Sequence, residues 1–230
     1  MKVMVAIPAY SGTIHLGTMR SLFTDLLALR DRGDEWVLMD ECGNALIADA
    51  RALIVAKFLE TDCDTLVFVD SDVCWEAGAL LKLLDHPVDF VAGIYPQRRD
   101  PINYCLNWTA QGELWADPET GLLESNGVPF GFVKLTRKVL EDMREQYPDS
   151  EFYVENAPDH KAWALFADYR IGKHKMGEDY AFCRRWRDMG GRLWVDPEIS
   201  MGHVGYKTFS GHLGNDLRSR IGTDDGDIQP

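Results

Sequence analysis

This chain has no basic surplus, no paired cysteines and no long apolar run, and each absence removes a class of protein. Lys and Arg number 24 against 37 Asp and Glu, a formal charge of −13. Such a chain has no extended basic face with which to displace counterions from a nucleic acid. Its five cysteines (Cys42, Cys63, Cys74, Cys105 and Cys183) are odd in number, scattered and free of any Cys-x-x-Cys pair. That argues against a zinc scaffold or a disulfide framework and for a reducing compartment. No stretch approaches the ~20 apolar residues of a membrane span. The opening apolar run is broken at Pro8 and is too short for a signal-peptide core, so the expected location is the cytoplasm. No Gly-x-Gly-x-x-Gly follows the first strand, no Gly-x-x-x-x-Gly-Lys-Ser/Thr is present, and no Gly-x-Ser-x-Gly elbow appears. A dinucleotide-binding domain, a P-loop enzyme and a serine hydrolase of the elbow type all fall with those motifs.

What is present is an alternation of strand and helix patterns over the first 95 residues. Lys2 to Ile7, Trp36 to Met39, Leu66 to Val69 and Asp89 to Ile94 read as strands. Between them, Thr18 to Arg30 is amphipathic, with Met19, Leu22, Phe23, Leu26 and Leu29 expected on one face. Ala45 to Leu59 and Glu76 to Leu84 read as further helices. Repeated β-α-β units predict an α/β fold with a mainly parallel central sheet flanked by helices. After Tyr95 the pattern changes. A hairpin is expected around Gln111-Gly112, a strand over Phe132 to Leu135, and helices over Arg137 to Gln146 and Glu178 to Met189, with a short strand at Leu193 to Val195. Residues 147–177 show no clear period, as functional or mobile connections do. The tail from Gly222 is expected to be flexible.

Residues 65–72, Thr-Leu-Val-Phe-Val-Asp-Ser-Asp, carry the strongest local signal. An apolar, β-branched run that suits a strand buried on both faces stops at Asp70 and Asp72. Ligands of open α/β sheets bind at the carboxyl ends of strands, and paired carboxylate oxygens there suit Mg2+ or Mn2+. The competing reading is a turn, since Asp and Ser favour turns. Glu178 and Asp179 open a helix, where the dipole alone would explain them, or else one of them takes a proton from a hydroxyl. His203, between Gly202 and Val204, is either a packed histidine or a transition-metal ligand. Arg51, on a helix lined with Ala, Leu and Ile, either snorkels or aims its guanidinium at a phosphate or base. Gly131 and Phe132 enter a strand from a glycine-bearing loop, a simple turn or a wall for an acceptor.

The order of these pieces resembles the GT-A fold glycosyltransferases, close to glycosyltransferase family two and a related group of mannosyltransferases. The run is Ile7-Pro8-Ala9-Tyr10, Asn44 and Arg51, Val69-Asp70-Ser71-Asp72, Val91 to Pro96, Gly131-Phe132, Gly177 to Cys183, and His203. The resemblance covers roughly residues 1–205. It implies one domain over 1–221, with a nucleotide-binding half (1–95) and an acceptor-binding half (96–221). It implies a nucleotide-sugar donor, UDP-linked in preference to GDP-linked, held with Mn2+ or Mg2+. Pro8, Ala9, Tyr10, Asp40, Arg51, Asp70, Ser71 and Asp72 would contact that donor. Asp70, Asp72 and His203 would hold the metal, Asp179 with Glu178 would serve catalysis, and Gly131 and Phe132 would lie on the acceptor side. The implied acceptor is a hydroxyl of a glycan, a lipid-linked saccharide, a protein or a modified DNA base, the last disfavoured by the acidic charge. Two alternatives stand beside it. A nucleotidyltransferase would carry a basic, Gly-rich loop after the first strand, and Pro8 to Thr13 has no basic residue. A non-catalytic nucleotide-sugar or metal-binding module would not depend on Asp179.

Overall fold

The computed structural model describes residues 1–104, 106–108, 116–154 and 157–221. The expected hairpin around Gln111-Gly112 and the tail from Gly222 lie outside the described residues. The first half forms β1 (Lys2–Ala9), α1 (Leu16–Arg32), β2 (Glu35–Cys42), α2 (Ile47–Leu59), β3 (Thr65–Val69), β4 (Val73–Trp75), α3 (Ala79–Asp85) and β5 (Phe90–Gly93). The second half adds β6 (Asn107–Trp108), β7 (Leu123–Gly127), β8 (Phe132–Thr136), α4 (Arg137–Gln146), β9 (Glu151–Val154) and β10 (Ala157–Trp163). It closes with β11 (Tyr169–Ile171), β12 (His174–Met176), α5 (Glu178–Asp188), β13 (Leu193–Asp196), β14 (Ser200–Val204), β15 (Thr208–His212) and α6 (Leu213–Ile221).

The central sheet runs β2-β1-β3-β8-β5-β13-β7-β6. β1 pairs in parallel with β2 and β3, and β5 with β13, as the β-α-β pattern predicts. β8 is the exception: it inserts between β3 and β5 and is antiparallel to both. β7 also runs against β13 and β6, so β7 and β8 oppose the other six strands of the eight. The reversal of β8 has a chemical consequence. Its first residue, Phe132, and Gly131 just before it come to the edge where β3 ends, with Phe132 opposite Val69 and the Asp70 amide donating to the Gly131 carbonyl at 3.0 Å. A parallel β8 would have carried them to the opposite edge.

Apolar cores cover both faces of the sheet. Met4, Ala6, Leu66, Phe68, Phe90 and Val133 face α2, α4 and α5 on one side. Val3, Val5, Val67, Val69, Val91 and Phe132 face α1 and α3 on the other. The amphipathic reading of α1 needs a correction. Leu22, Leu26 and Leu29 are buried, whereas Met19 and Phe23 are exposed. The helix is rotated because its polar residues Ser21 and Asp25 are also buried. Ser21 Oγ donates to the Trp75 carbonyl at 2.6 Å. Asp25 accepts from Trp75 Nε1 at 2.9 Å and from the amides of Gly78 at 2.6 Å and Leu80 at 2.9 Å, which holds the start of α3.

Residues 147–177 are more ordered than their aperiodic sequence suggests. Within the described part they form two antiparallel pairs, β9 with β10 and β11 with β12. A three-stranded sheet, β15-β14-β4, stands beside the main one, and it places His203 inside strand β14.

Asp25 generates a stability test. Asp25→Ala would leave two buried donors and one part-buried donor without their charged acceptor, a loss of about 3 kcal/mol. Urea denaturation should report it as a fall in midpoint at unchanged slope; a change below ~1 kcal/mol would contradict this role for Asp25.

Candidate active site

At the carboxyl edge of the sheet, the two aspartates of the Asp70-Ser71-Asp72 triplet serve two different clusters. The first is built on Arg51. This residue, on α2, is only 2% exposed. A buried cation must be paired, and removing its partners is far costlier than forming the pair is rewarding. Arg51 Nη2 meets Asp70 Oδ1 at 3.2 Å, and Nη1 meets Glu178 Oε1 at 3.1 Å and Asp179 Oδ1 more closely still. The guanidinium also lies over the Phe130 ring, 5.5 Å from its centroid. Arg51 is thus paired with three carboxylates from two separate segments. Glu178 and Asp179 sit in the first turn of α5, where the helix dipole favours them, yet both turn towards Arg51.

Three carboxylates around one guanidinium cannot all be comfortable as anions. Burial pushes the Asp179 carboxyl up to about 7, with Glu178 and Asp70 adding to the rise, against the opposing pull of Arg51 and of the Phe130 amide. That amide donates to Asp179 Oδ2 at 3.3 Å. Asp70 completes the cluster by accepting from the Tyr95 hydroxyl at 3.3 Å. Gly131 makes this packing feasible: a Cβ there would stand 2.5 Å from Tyr95 Oη and 2.7 Å from Asp70 Oδ2.

The second cluster holds Asp72 and His203. β4 follows Asp72 directly and pairs with β14, setting His203 opposite Val73, while the Val204 amide donates to the Asp72 carbonyl at 2.8 Å. His203 Nε2 lies 3.6 Å from Asp72 Oδ1. Its Nδ1 lies 3.0 Å from the Pro96 carbonyl, and the Tyr95 ring stands edge-on at 4.9 Å. With Nδ1–H donating to Pro96, the Nε2 lone pair points at Asp72, the orientation that metal-bound histidines receive from a carbonyl partner. Burial holds the imidazole below its usual proton affinity, and Arg98 adds to that. The neutral ring is therefore favoured, as ligation requires.

The fit to a metal ion is partial. Among the described residues, no three His, Cys, Asp or Glu side chains converge as a ready-made cage. Asp70, the third expected ligand, has its oxygens engaged by Arg51 and Tyr95. Asp72 and His203 do fit: two ligand atoms each about 2.1 Å from a shared ion span a gap of this size. Mg2+-type sites commonly use one or two protein ligands and take the rest from substrate phosphates and water.

The other expected residues scatter around this edge. Pro8 and Ala9 are buried at the end of β1, and Tyr10 beyond them is 68% exposed. Asp40 is exposed on edge strand β2 and accepts from the Cys42 thiol at 3.2 Å. The Ser71 carbonyl accepts from the His15 amide at 2.8 Å, tying the loop after β1 to the triplet. Phe132 is fully buried, its ring 4.6 Å from that of Trp75, and so belongs to the core. Sequence reasoning gave Tyr95 no role of its own, and offered Arg98 only within an Arg98-Arg99 cluster that permits phosphate contacts, not as a partner of Asp72. Both follow β5, whose carboxyl end shares the edge with that of β3, and that topological rule was the available signal.

No family model matches the chain, and no curated protein matches it in sequence. Solved structures do match. A GalNAc-T7 crystallised with UDP, GalNAc and Mn2+ superposes with a TM-score of 0.50 at 14% identity, covering 88% of this chain and 44% of that one. The catalytic domain of Drosophila β1,4-galactosyltransferase 7 gives 0.44 at 13% identity, with 100% and 82% covered. An inositol-1-phosphate CTP transferase from T. maritima gives 0.43 at 10% identity, with 94% and 92% covered. The fold is that of the GT-A glycosyltransferases. The chain spans less than half the length of the GalNAc-T7 it matches.

Asp179 predicts a pH signature. Its folded-state proton affinity is raised above the usual carboxylate value of 3.8. The folded state therefore holds a proton that the unfolded chain releases, and Asp179 costs stability as pH rises from about 4 to about 7. Asp179→Asn, which mimics the protonated form, should gain melting temperature relative to wild type as pH goes from 5 to 8. A difference between the two proteins that does not change with pH would contradict the assignment.

Proposed function

We propose that this chain is a metal-dependent glycosyltransferase that moves a sugar from a nucleotide-sugar, UDP-linked in preference to GDP-linked, to a hydroxyl acceptor. The observation that carries the reading is the Asp72 and His203 pair at the carboxyl edge of a GT-A sheet, with Nε2 oriented by Pro96 and 3.6 Å from the carboxylate. Those two residues would hold Mn2+ or Mg2+. The cation would supply charge stabilisation to the diphosphate as it leaves. Pro8, Ala9, Tyr10 and Ser71 lie along the same edge and would line the nucleotide, with the exposed Tyr10 ring available for packing. Asp40 stands further out on β2 as the candidate ribose or base contact.

Asp179 suits a general base for the acceptor hydroxyl. Efficiency is greatest when the base titrates near the operating pH, and a carboxyl raised to about 7 meets that condition where an ordinary one would not. Glu178 and Asp70 would act through Arg51, fixing where Asp179 points. On this reading residues 1–95 form the donor half and 96–221 the acceptor half of one domain, with Gly131 at the junction. The acceptor is a hydroxyl compound of open identity. The absence of a basic residue between Pro8 and Thr13 favours sugar transfer over nucleotidyl transfer.

The test is a thermal-shift measurement with UDP and GDP, each with and without Mn2+, on wild type, Asp72→Ala and Asp179→Asn. A ligand at a hundred times its Kd stabilises the fold by about 2.7 kcal/mol. Wild type should shift only with nucleotide and Mn2+ together. Asp72→Ala should lose the shift, and Asp179→Asn should keep it while losing transfer and donor hydrolysis. A full shift in Asp72→Ala would contradict the metal assignment, and transfer retained by Asp179→Asn would contradict the base.

A further inference from the structure

The Asp72 carboxylate is divided between two partners. Oδ1 faces His203 Nε2 at 3.6 Å, and Oδ2 is closely paired with Nη2 of Arg98. Arg98 reaches this position from the loop after β5. The loop is braced by the Gln97 amide donating to the Asn103 carbonyl at 2.7 Å and by the pairing of Lys207 with Asp100 at 2.5 Å. The Arg98 stem lies against Gly205, where a Cβ would stand 3.1 Å from Cδ, so the hairpin after His203 leaves room for it. Two arginines thus serve the two aspartates of the triplet, and they differ in kind. The Arg51 side chain is 3% exposed with three carboxylates, a fixed part of the interior. The Arg98 side chain is 42% exposed with one. An ion pair that open to water is held weakly, and a divalent cation bound by both Asp72 and His203 would outcompete it.

We propose that Arg98 is the exchanging counter-ion of this site: it yields the Asp72 carboxylate to a divalent cation and then pairs with the diphosphate of the nucleotide. This rests on the reading that Asp72 and His203 hold the cation. A nucleoside diphosphate carries more negative charge than one divalent ion neutralises. The planar guanidinium fork matches phosphate oxygens in a bidentate way that a lysine does not. Arg98 enters the account as a donor-binding residue for the leaving group, beside the cation and opposite Asp179 in function.

The experiment measures Mn2+ affinity from the electron paramagnetic resonance signal of free Mn2+, and then UDP and GDP affinity by calorimetry at saturating Mn2+. The proteins are wild type, Arg98→Ala, Arg98→Lys and Asp72→Ala. Arg98→Ala should bind Mn2+ about two- to fivefold more tightly than wild type, the worth of an exposed ion pair removed from competition. The same variant should bind the nucleotide about tenfold more weakly, for the loss of a charged contact to phosphate. Arg98→Lys keeps the charge without the fork, so it should hold wild-type Mn2+ affinity and lose part of the nucleotide affinity, which separates the contact from a folding defect. Unchanged or weaker Mn2+ binding in Arg98→Ala, with binding lost in Asp72→Ala, would overturn the exchange and leave the cation site standing. Unchanged nucleotide affinity in Arg98→Ala would overturn the diphosphate contact. Wild type binding no Mn2+ would overturn both this inference and the reading beneath it.

Discussion

A single buried guanidinium organises this molecule's candidate site. Arg51 comes from α2 in the first half of the chain. Its partners come from the end of β3 and from the start of α5, so one side chain ties three segments together. The low-dielectric surroundings make that tie obligatory, because an unpaired buried cation would cost several kcal/mol. The same arrangement sets the chemistry. Burial raises the Asp179 carboxyl to about 7, with Glu178 and Asp70 adding to the rise against the opposing pull of Arg51.

The second constraint is strand direction. β8 runs against β3 and β5, bringing Gly131 to the edge where Asp70 sits. β14 pairs antiparallel with β4 and delivers His203 beside Asp72 from far along the chain. The triplet therefore stands where two sheets meet, and its alternate residues face different clusters: Asp70 is locked by Arg51 and Tyr95, and Asp72 stays accessible to Arg98 and His203. Such a division suits a site with one permanent anchor and one exchangeable ligand.

Much of this was readable in the chain. The apolar run Leu66 to Val69 stopping at Asp70 foretold a buried strand, and all of β3 is buried. The β-α-β pattern predicted β1, α1, α2 and β5 to within a few residues. What the chain withheld was direction and partnership. The local pattern of Phe132 to Leu135 says strand but not antiparallel, since that depends on a neighbour far away in sequence. β7, Leu-Glu-Ser-Asn-Gly, is polar and short, and was not visible as a strand at all. A lone Arg among Ala and Leu looks the same whether it snorkels or lies buried, because its carboxylates arrive from residues 70, 178 and 179. Met19 and Phe23 looked like core because spacing alone could not reveal that Ser21 and Asp25 had claimed the inward face.

The central claim is that Asp72 and His203 form the cation site while Asp70 stays with Arg51. Crystals grown with UDP and Mn2+, measured at the manganese absorption edge, address it directly. The account predicts an anomalous peak bonded to an Asp72 carboxylate oxygen and to His203 Nε2, with Arg51 still paired to Asp70. A peak bonded to Asp70 with Arg51 displaced, or a peak away from both residues, would contradict it.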